Sequence, residues 1–365
     1  MLFILLCHTQ LFALNGTVQH VTFTGPVTKE SITFSIYLPP NYSGNTSQSY
    51  PVVYHLHGIG GTHDGQQIST IPQTFELAVS QKRWTEAIIV FPDGYNNTMW
   101  ANSYDGTKPA ETNVIQEIIP YIDASYRTIR DKQHRFIEGF SMGGFGALMY
   151  FTKYPNLFSK VSCYDGAFLD WPGIKKAQPE VVTQIFNNSE TNFNQYSPWT
   201  YLKKNVSLFK PDTLIKISLG ALSGYDKNLG DTLAVYNIRY EYAATGCAHQ
   251  LGCLASAQGI NTAIFFAKHL DQTTGLDLTR IAPAPVNVFP NPAVSEITVS
   301  VECSQTSESK IEIYNLCGQV VFVRKTTGHN TIIDVSGLDN GVYFISVNSL
   351  GSERSLPVKL MINHL

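Results

Sequence analysis

Residues Gly139-Phe140-Ser141-Met142-Gly143, followed by Gly144, set a serine between glycines in the Gly-x-Ser-x-Gly spacing of a nucleophile elbow. A serine hydroxyl attacks a carbonyl only when a base takes its proton and an acid holds that base in one tautomer. His249 is the favoured base, because it follows the last expected strand, residues 238–244, and precedes a stretch of helical spacing. His55, His57, His134 and His269 are rivals, each tied to another element. The expected acid is Asp226, just beyond the strand ending at Leu219, with Asp231 and Asp165 as alternatives. The oxyanion of a tetrahedral intermediate needs two donors. One is the N–H of Met142; the other is expected at Ile59, in His57-Gly58-Ile59-Gly60-Gly61. The chemistry is acyl transfer through a covalent acyl-enzyme. The competing reading makes Ser141 a helix N-cap among small residues.

An elbow needs a strand running into a helix, and both are expected. Residues 134–138 alternate apolar and polar, and residues 144–151 read as a buried helix. Residues 31–38 alternate as a half-buried strand, while 51–56, 86–91, 160–164 and 214–219 are short apolar runs suited to parallel strands covered on both faces. Residues 114–124 have helical spacing interrupted by Pro120. Strands alternating with helices predict an α/β, doubly wound, mostly parallel sheet, with ligands at the carboxyl ends of the strands. Residues 187–209, rich in Asn, Ser and Tyr, break the rhythm and are expected to form a cap. Trp100, Tyr104, Trp171 and Trp199 are candidates to line a cleft; for each, burial in the core is the competing role.

The 365 residues exceed one ordinary domain. A net charge of −3, with 15% charged residues and no Lys/Arg block, points away from nucleic acid and acidic membranes. Residues 1–15 open with an apolar run expected to be a signal peptide cleaved near Ala13 to Gly16. The run is too interrupted for a spanning helix. Without Cys7, five cysteines remain: Cys163, Cys247, Cys253, Cys303 and Cys317. In an exported chain Cys247 and Cys253, which bracket His249, are a possible disulfide; closing that small ring contributes about 2 kcal/mol. No metal-ligand spacing stands out, and no metal or cofactor is required.

Composition changes near residue 281. Residues 281–287 read as a stiff proline-rich linker between an enzyme-sized domain, 16–280, and a small all-β sandwich, 288–365. Asn340-Gly341 is a hairpin signal there.

Together these motifs resemble the esterase D-like group of the α/β-hydrolase fold, which includes feruloyl and acetylxylan esterases of carbohydrate esterase family one, S-formylglutathione hydrolases and mycolyltransferases. The resemblance spans about residues 30 to 270. It rests on Tyr37-Leu38-Pro39-Pro40-Asn41-Tyr42, Leu56-His57-Gly58-Ile59-Gly60-Gly61, Phe91-Pro92-Asp93-Gly94, Ile119-Pro120-Tyr121-Ile122-Asp123, Tyr154-Pro155-Asn156-Leu157-Phe158 and the elbow itself. It implies Ser141 as nucleophile, His249 as base, Asp226 as acid, and Ile59 and Met142 as oxyanion donors. The chain departs from the family in lacking a Gly-Gly-like pair before His249 and a tryptophan after it, and in a short stretch between Asp226 and His249.

Residues 286 to 365 resemble the sorting domain of the Bacteroidetes type IX secretion system, through Phe289-Pro290-Asn291-Pro292, Ile313-Tyr314-Asn315-Leu316-Cys317-Gly318 and Leu338-Asp339-Asn340-Gly341-Val342-Tyr343. This implies export, with the secretion machinery as partner and release or surface attachment as outcome. A carbohydrate-binding sandwich is the alternative. The expectation is a secreted serine ester hydrolase acting on acylated plant polysaccharide, feruloyl or acetyl, or on a small ester. The alternatives are an S-formylglutathione hydrolase-like enzyme, whose cytosolic substrate suits export poorly, and a non-catalytic carbohydrate-binding protein on the same fold.

Overall fold

A computed structural model describes residues 14–209, 212, 214–268, 286–301, 309–315, 320–328, 330–349 and 358–364. The apolar leader up to residue 13, His269, linker residues 281–285, Cys303 and Cys317 lie outside the described residues. The described residues form two compact units, 14–268 and 286–364.

The first unit is built on one sheet of eight strands: β1 (Thr17–Thr24), β2 (Ser31–Leu38), β3 (Val52–Leu56), β4 (Ile88–Pro92), β5 (Arg135–Phe140), β6 (Lys160–Tyr164), β7 (Ile215–Leu219) and β8 (Tyr240–Ala244). Their order is β1-β2-β4-β3-β5-β6-β7-β8. The pairs β1–β2 and β2–β4 are antiparallel, and the rest are parallel. Strands β3, β4, β6 and β7 are buried throughout, as their unbroken apolar runs require under helices on both faces. From β3 the chain crosses to β4 on one side and then returns to β5 on the other. The reversal opens a crevice at the carboxyl ends of β3 and β5, the place where such sheets bind ligands.

The sequence reading missed β1, an antiparallel edge strand with a mostly exposed or half-exposed pattern. Pro120 does not break its helix. A π-helical stretch, Asn113–Ile118, hands over to the helix Ile119–Ser125 with Pro120 in its first turn, where a missing N–H costs little. Residues 187–209 belong to a longer helical insertion between β6 and β7, comprising Trp171–Ala177, Pro179–Gln184, Glu190–Asn194 and Pro198–Lys204. Helix Pro198–Lys204 packs on the helix Met142–Lys153, and Phe193 meets Phe145 with ring centroids 6.4 Å apart. The insertion therefore roofs the helix behind Ser141. This is why every residue from Met142 to Thr152 is buried.

The second unit has two antiparallel sheets. One orders β9 (Val286–Phe289), β10 (Glu296–Val301) and β13 (Asn330–Asp334) as β13-β10-β9. The other orders β11 (Ser309–Tyr314), β12 (Val320–Thr326), β14 (Gly341–Ser349) and β15 (Val358–Ile362) as β12-β11-β14-β15. Ile297, Val299, Ile311, Ile313, Ile345 and Leu360 fill its core. Val286 and Asn287, expected in the linker, already belong to β9. Asn340-Gly341 is not a two-residue hairpin. It opens β14, whose predecessor β13 lies in the other sheet, and Asn340 Oδ1 instead accepts the His364 N–H at 2.6 Å. Among the described residues no helix is long and apolar enough to cross a membrane.

Candidate active site

Ser141 joins β5 to the helix Met142–Lys153 at φ 56°, ψ −117°, a conformation that L residues rarely adopt. Three contacts hold it there. Its N–H donates to Tyr164 O at 3.0 Å, while its carbonyl accepts from Ala167 N at 2.9 Å and Phe145 N at 3.2 Å. Glycine on either side is a packing requirement. A Cβ on Gly139 would lie 2.2 Å from Gly143 O, and one on Gly143 only 1.9 Å from Leu56 O.

His249 lies beyond β8 with Nε2 2.8 Å from Ser141 Oγ and Nδ1 2.5 Å from Asp165 Oδ2. Its ring packs on Phe140 at 4.7 Å between centroids. Asp165 follows β6 with φ 45° and is fully buried. Burial alone would raise its carboxyl. The hydrogen bonds from His249 and from the N–H groups of Leu222 and Gly220, both 2.9 Å from Oδ1, outweigh burial and hold it below the ordinary carboxylate value. An ionised carboxylate only accepts, so Nδ1 of His249 carries the proton and Nε2 keeps its lone pair for the Ser141 hydroxyl.

The carboxylate on His249 is thus that of Asp165, which corrects the expectation of Asp226. Asp226 falls inside the helix Ser223–Val235, and its side chain lies outside the described residues. Asp231 forms an exposed ion pair with Lys227 at 2.5 Å. The physical reason lies in the sheet. β6 neighbours β5 directly, so a residue just past β6 lies one strand from the elbow, while the segment after β7 contributes only its N–H groups. The rival histidines are engaged elsewhere. His55 pairs with Glu138 at 2.8 Å inside the sheet, and His134 with Asp131 at 2.8 Å.

The Ile59 loop meets the elbow closely: a Cβ on Gly58 would lie 3.2 Å from Ser141 Cβ. The turn is closed by Gly61 N–H to Gly58 O at 3.0 Å, with Gly60 at φ 75° in its third position, as a type II turn requires. Gly60 N–H donates to Asn96 O at 3.0 Å. His57 braces the same loop: Nδ1–H donates to Gly58 O at 2.8 Å and Nε2 accepts the Gly94 N–H at 3.0 Å. Burial pushes the His57 imidazole down, which keeps it neutral in this tautomer. Met142 opens its helix, so its N–H has no partner within that helix and adjoins Ser141.

Trp100, expected at the cleft, is fully buried instead. Its Nε1–H donates to His57 O at 3.1 Å, and Gly94 and Gly146 pack against its ring. It is a strut beneath the loop that carries Ile59. Tyr104 is 55% exposed, and its N–H donates to Ile185 O in the helical insertion. Trp199 and Trp171 are partly buried against the core. Cys247 and Cys253 are bonded, with Cα atoms 5.8 Å apart. Sequence reasoning did not single out Phe140, Gly220 or Leu222. Phe140 was legible as the residue before Ser141; the other two act through their backbone, which carries no residue signature. Among the described residues no cluster of three or more His, Cys, Asp or Glu could hold a metal.

Residues 25–206 match a family model described as "Putative esterase", and residues 287–363 match one described as "Secretion system C-terminal sorting domain". An esterase of Mycobacterium tuberculosis is 35% identical over 135 residues, 36% of this chain and 28% of that one. An endo-1,4-beta-xylanase/feruloyl esterase of Xylanibacter ruminicola is 27% identical over 178 residues, 47% of this chain and 24% of that one. The chain thus spans only about a quarter of the length of these relatives. A solved ferulic acid esterase superposes with a TM-score of 0.58 at 22% identity, over 70% of this chain and 100% of that one. An S-formylglutathione hydrolase from Agrobacterium tumefaciens superposes with a TM-score of 0.58 at 15% identity, over 71% and 97%. At these identities the superpositions establish the α/β-hydrolase fold.

Proposed function

Residues 25–206 belong to the esterase family and residues 287–363 to the secretion sorting domains, and on that premise we propose that the protein is an exported serine ester hydrolase that removes feruloyl or acetyl groups from plant polysaccharide. The observation that carries the mechanism is His249 bridging Ser141 Oγ at 2.8 Å and Asp165 Oδ2 at 2.5 Å.

Ser141 Oγ attacks the ester carbonyl carbon while His249 Nε2 takes its proton. The N–H groups of Met142 and Ile59 receive the oxyanion; losing one such donor typically costs about 10²–10³ in rate. The C–O bond to the alcohol then breaks, and the alcohol leaves with the proton from Nε2. Water attacks the acyl-enzyme by the same route, with His249 again as base. Asp165 stays ionised and orients the imidazolium. The substrate class draws support from the printed activity of the Xylanibacter relative and from an export domain that would carry the enzyme to polymeric substrate.

The test is a panel of methyl ferulate, acetylated xylan and short p-nitrophenyl esters, with Ser141→Ala as control. That variant should lose about 10⁶-fold in turnover. A variant that keeps near wild-type turnover would sink the mechanism, and activity confined to acetyl esters would remove the feruloyl reading.

A further inference from the structure

The base stands farthest from its strand: Ser141 and Asp165 directly follow β5 and β6, while His249 lies five residues past the end of β8. Ser141 is pinned by three backbone hydrogen bonds and Asp165 is buried behind two, but His249 sits in residues 245–250, between β8 and the helix Leu251–Gln258, with its side chain 34% exposed. Gly246, at φ 70°, gives that segment a hinge-capable backbone. Its upstream end is tied by Thr245, whose N–H donates to Leu219 O at 3.2 Å and whose hydroxyl accepts the Cys247 N–H at 3.1 Å. Between Cys247 and the helix the described backbone bonds are local: Gln250 N–H to Ala248 O at 2.7 Å and Leu254 N–H to Gln250 O at 3.1 Å. The helix beyond is anchored, with Leu254 and Ala255 in the core and its face packed on the helix Gln67–Ser80.

The Cys247–Cys253 disulfide joins the loop before His249 to the first turn of that anchored helix, closing a ring of sequence separation 6 around the base. Resting on the serine-hydrolase reading above, we propose that this disulfide is the positioning device of His249: it holds Nε2 on Ser141, so full turnover requires the oxidised chain. Cys247 is buried and Cys253 exposed, so the bond is reachable from solvent on one side. Opening it needs a dithiol reductant. That reagent supplies two electrons and two protons, the S–S bond becomes two thiols, and the reductant closes to its own cyclic disulfide. An enzyme built in this way is held back in a reducing cytosol and reaches full activity after export.

The experiment uses the full chain, oxidised, reduced with dithiothreitol and re-oxidised, with thiols counted in each state, and the double variant Cys247→Ser/Cys253→Ser beside it. Each is assayed for kcat and KM on p-nitrophenyl acetate, for the rate at which a fluorophosphonate labels Ser141, and for thermal unfolding. The labelling rate needs His249 as base and would not follow a general softening of the fold. The expected result is a fall on the order of 10²-fold in kcat and in labelling rate, with KM little changed and unfolding still above the assay temperature. Re-oxidation should restore wild type and leave the double variant low. Reduced enzyme that keeps its kcat and labelling rate overturns the proposal. So does a loss seen only where the reduced chain has unfolded. If the oxidised enzyme shows no hydrolysis dependent on Ser141, the esterase reading itself fails, a distinct result.

Discussion

The assignments that matter most at the scale of single residues are Asp165 and His57. Asp165 holds the Nδ1 proton of His249 and is fixed by two N–H donors, so Asp165→Asn should disturb the tautomer and lower kcat on the order of 10⁴-fold, while Asp226→Asn leaves it unchanged. The opposite ranking in a simple kcat comparison would return the role to Asp226. His57 works through its neutral form. Its folded value is depressed, so the unfolded chain binds the proton more readily, and stability must fall as pH drops below the ordinary histidine value of about 6.5. Denaturant titrations of His57→Gln across that range should show a shallower pH slope than wild type. Ser141 and His249, whose side chains meet at 2.8 Å, were legible as residue types beside strand ends. The choice among three aspartates was not, because it depends on which strand is β5's neighbour, and strand order is a non-local property.

Single elements show the elbow as a packing solution as much as a catalytic one. Helix Met142–Lys153 approaches β3 and β5 so closely that a methyl on Gly143 would strike backbone atoms that cannot rotate away. Gly143→Ala should therefore destabilise the fold by about 3 kcal/mol or more. Gly224→Ala, in open space, should stay within about 0.5 kcal/mol. Thermal unfolding of the two variants checks the contrast. The buried strands were read within a few residues of their ends, because continuous apolar runs have few other uses. β1 escaped because an edge strand needs no apolar run. Trp100 misled for a related reason: composition cannot tell a ring that braces a loop from one that lines a cleft.

Among the described residues each unit has its own hydrophobic core, one in residues 14–268 and one in 286–364. Calorimetry of the full chain should resolve two transitions, and a chain ending at residue 276 should keep one of them together with its hydrolysis. A single transition lost on truncation would refute the division. A change in composition near residue 281 was legible in the sequence. The pairing of β13 with β10 rather than β14 was not, since a turn signal reports only local geometry.

The distances in sequence behind the site have a consequence for how the protein comes alive. Ser141 and His249 are 108 residues apart, and His249 and Asp165 are 84 apart. The ends of β5, β6, β7 and β8 must dock before any proton can move, β8 being the last of them in the chain. No nascent fragment ending before that strand, and no collapsed intermediate, can carry turnover. On the serine-hydrolase proposal, hydrolysis is then a reporter of completed assembly: after dilution from denaturant it can lag the return of secondary structure, but it cannot precede it.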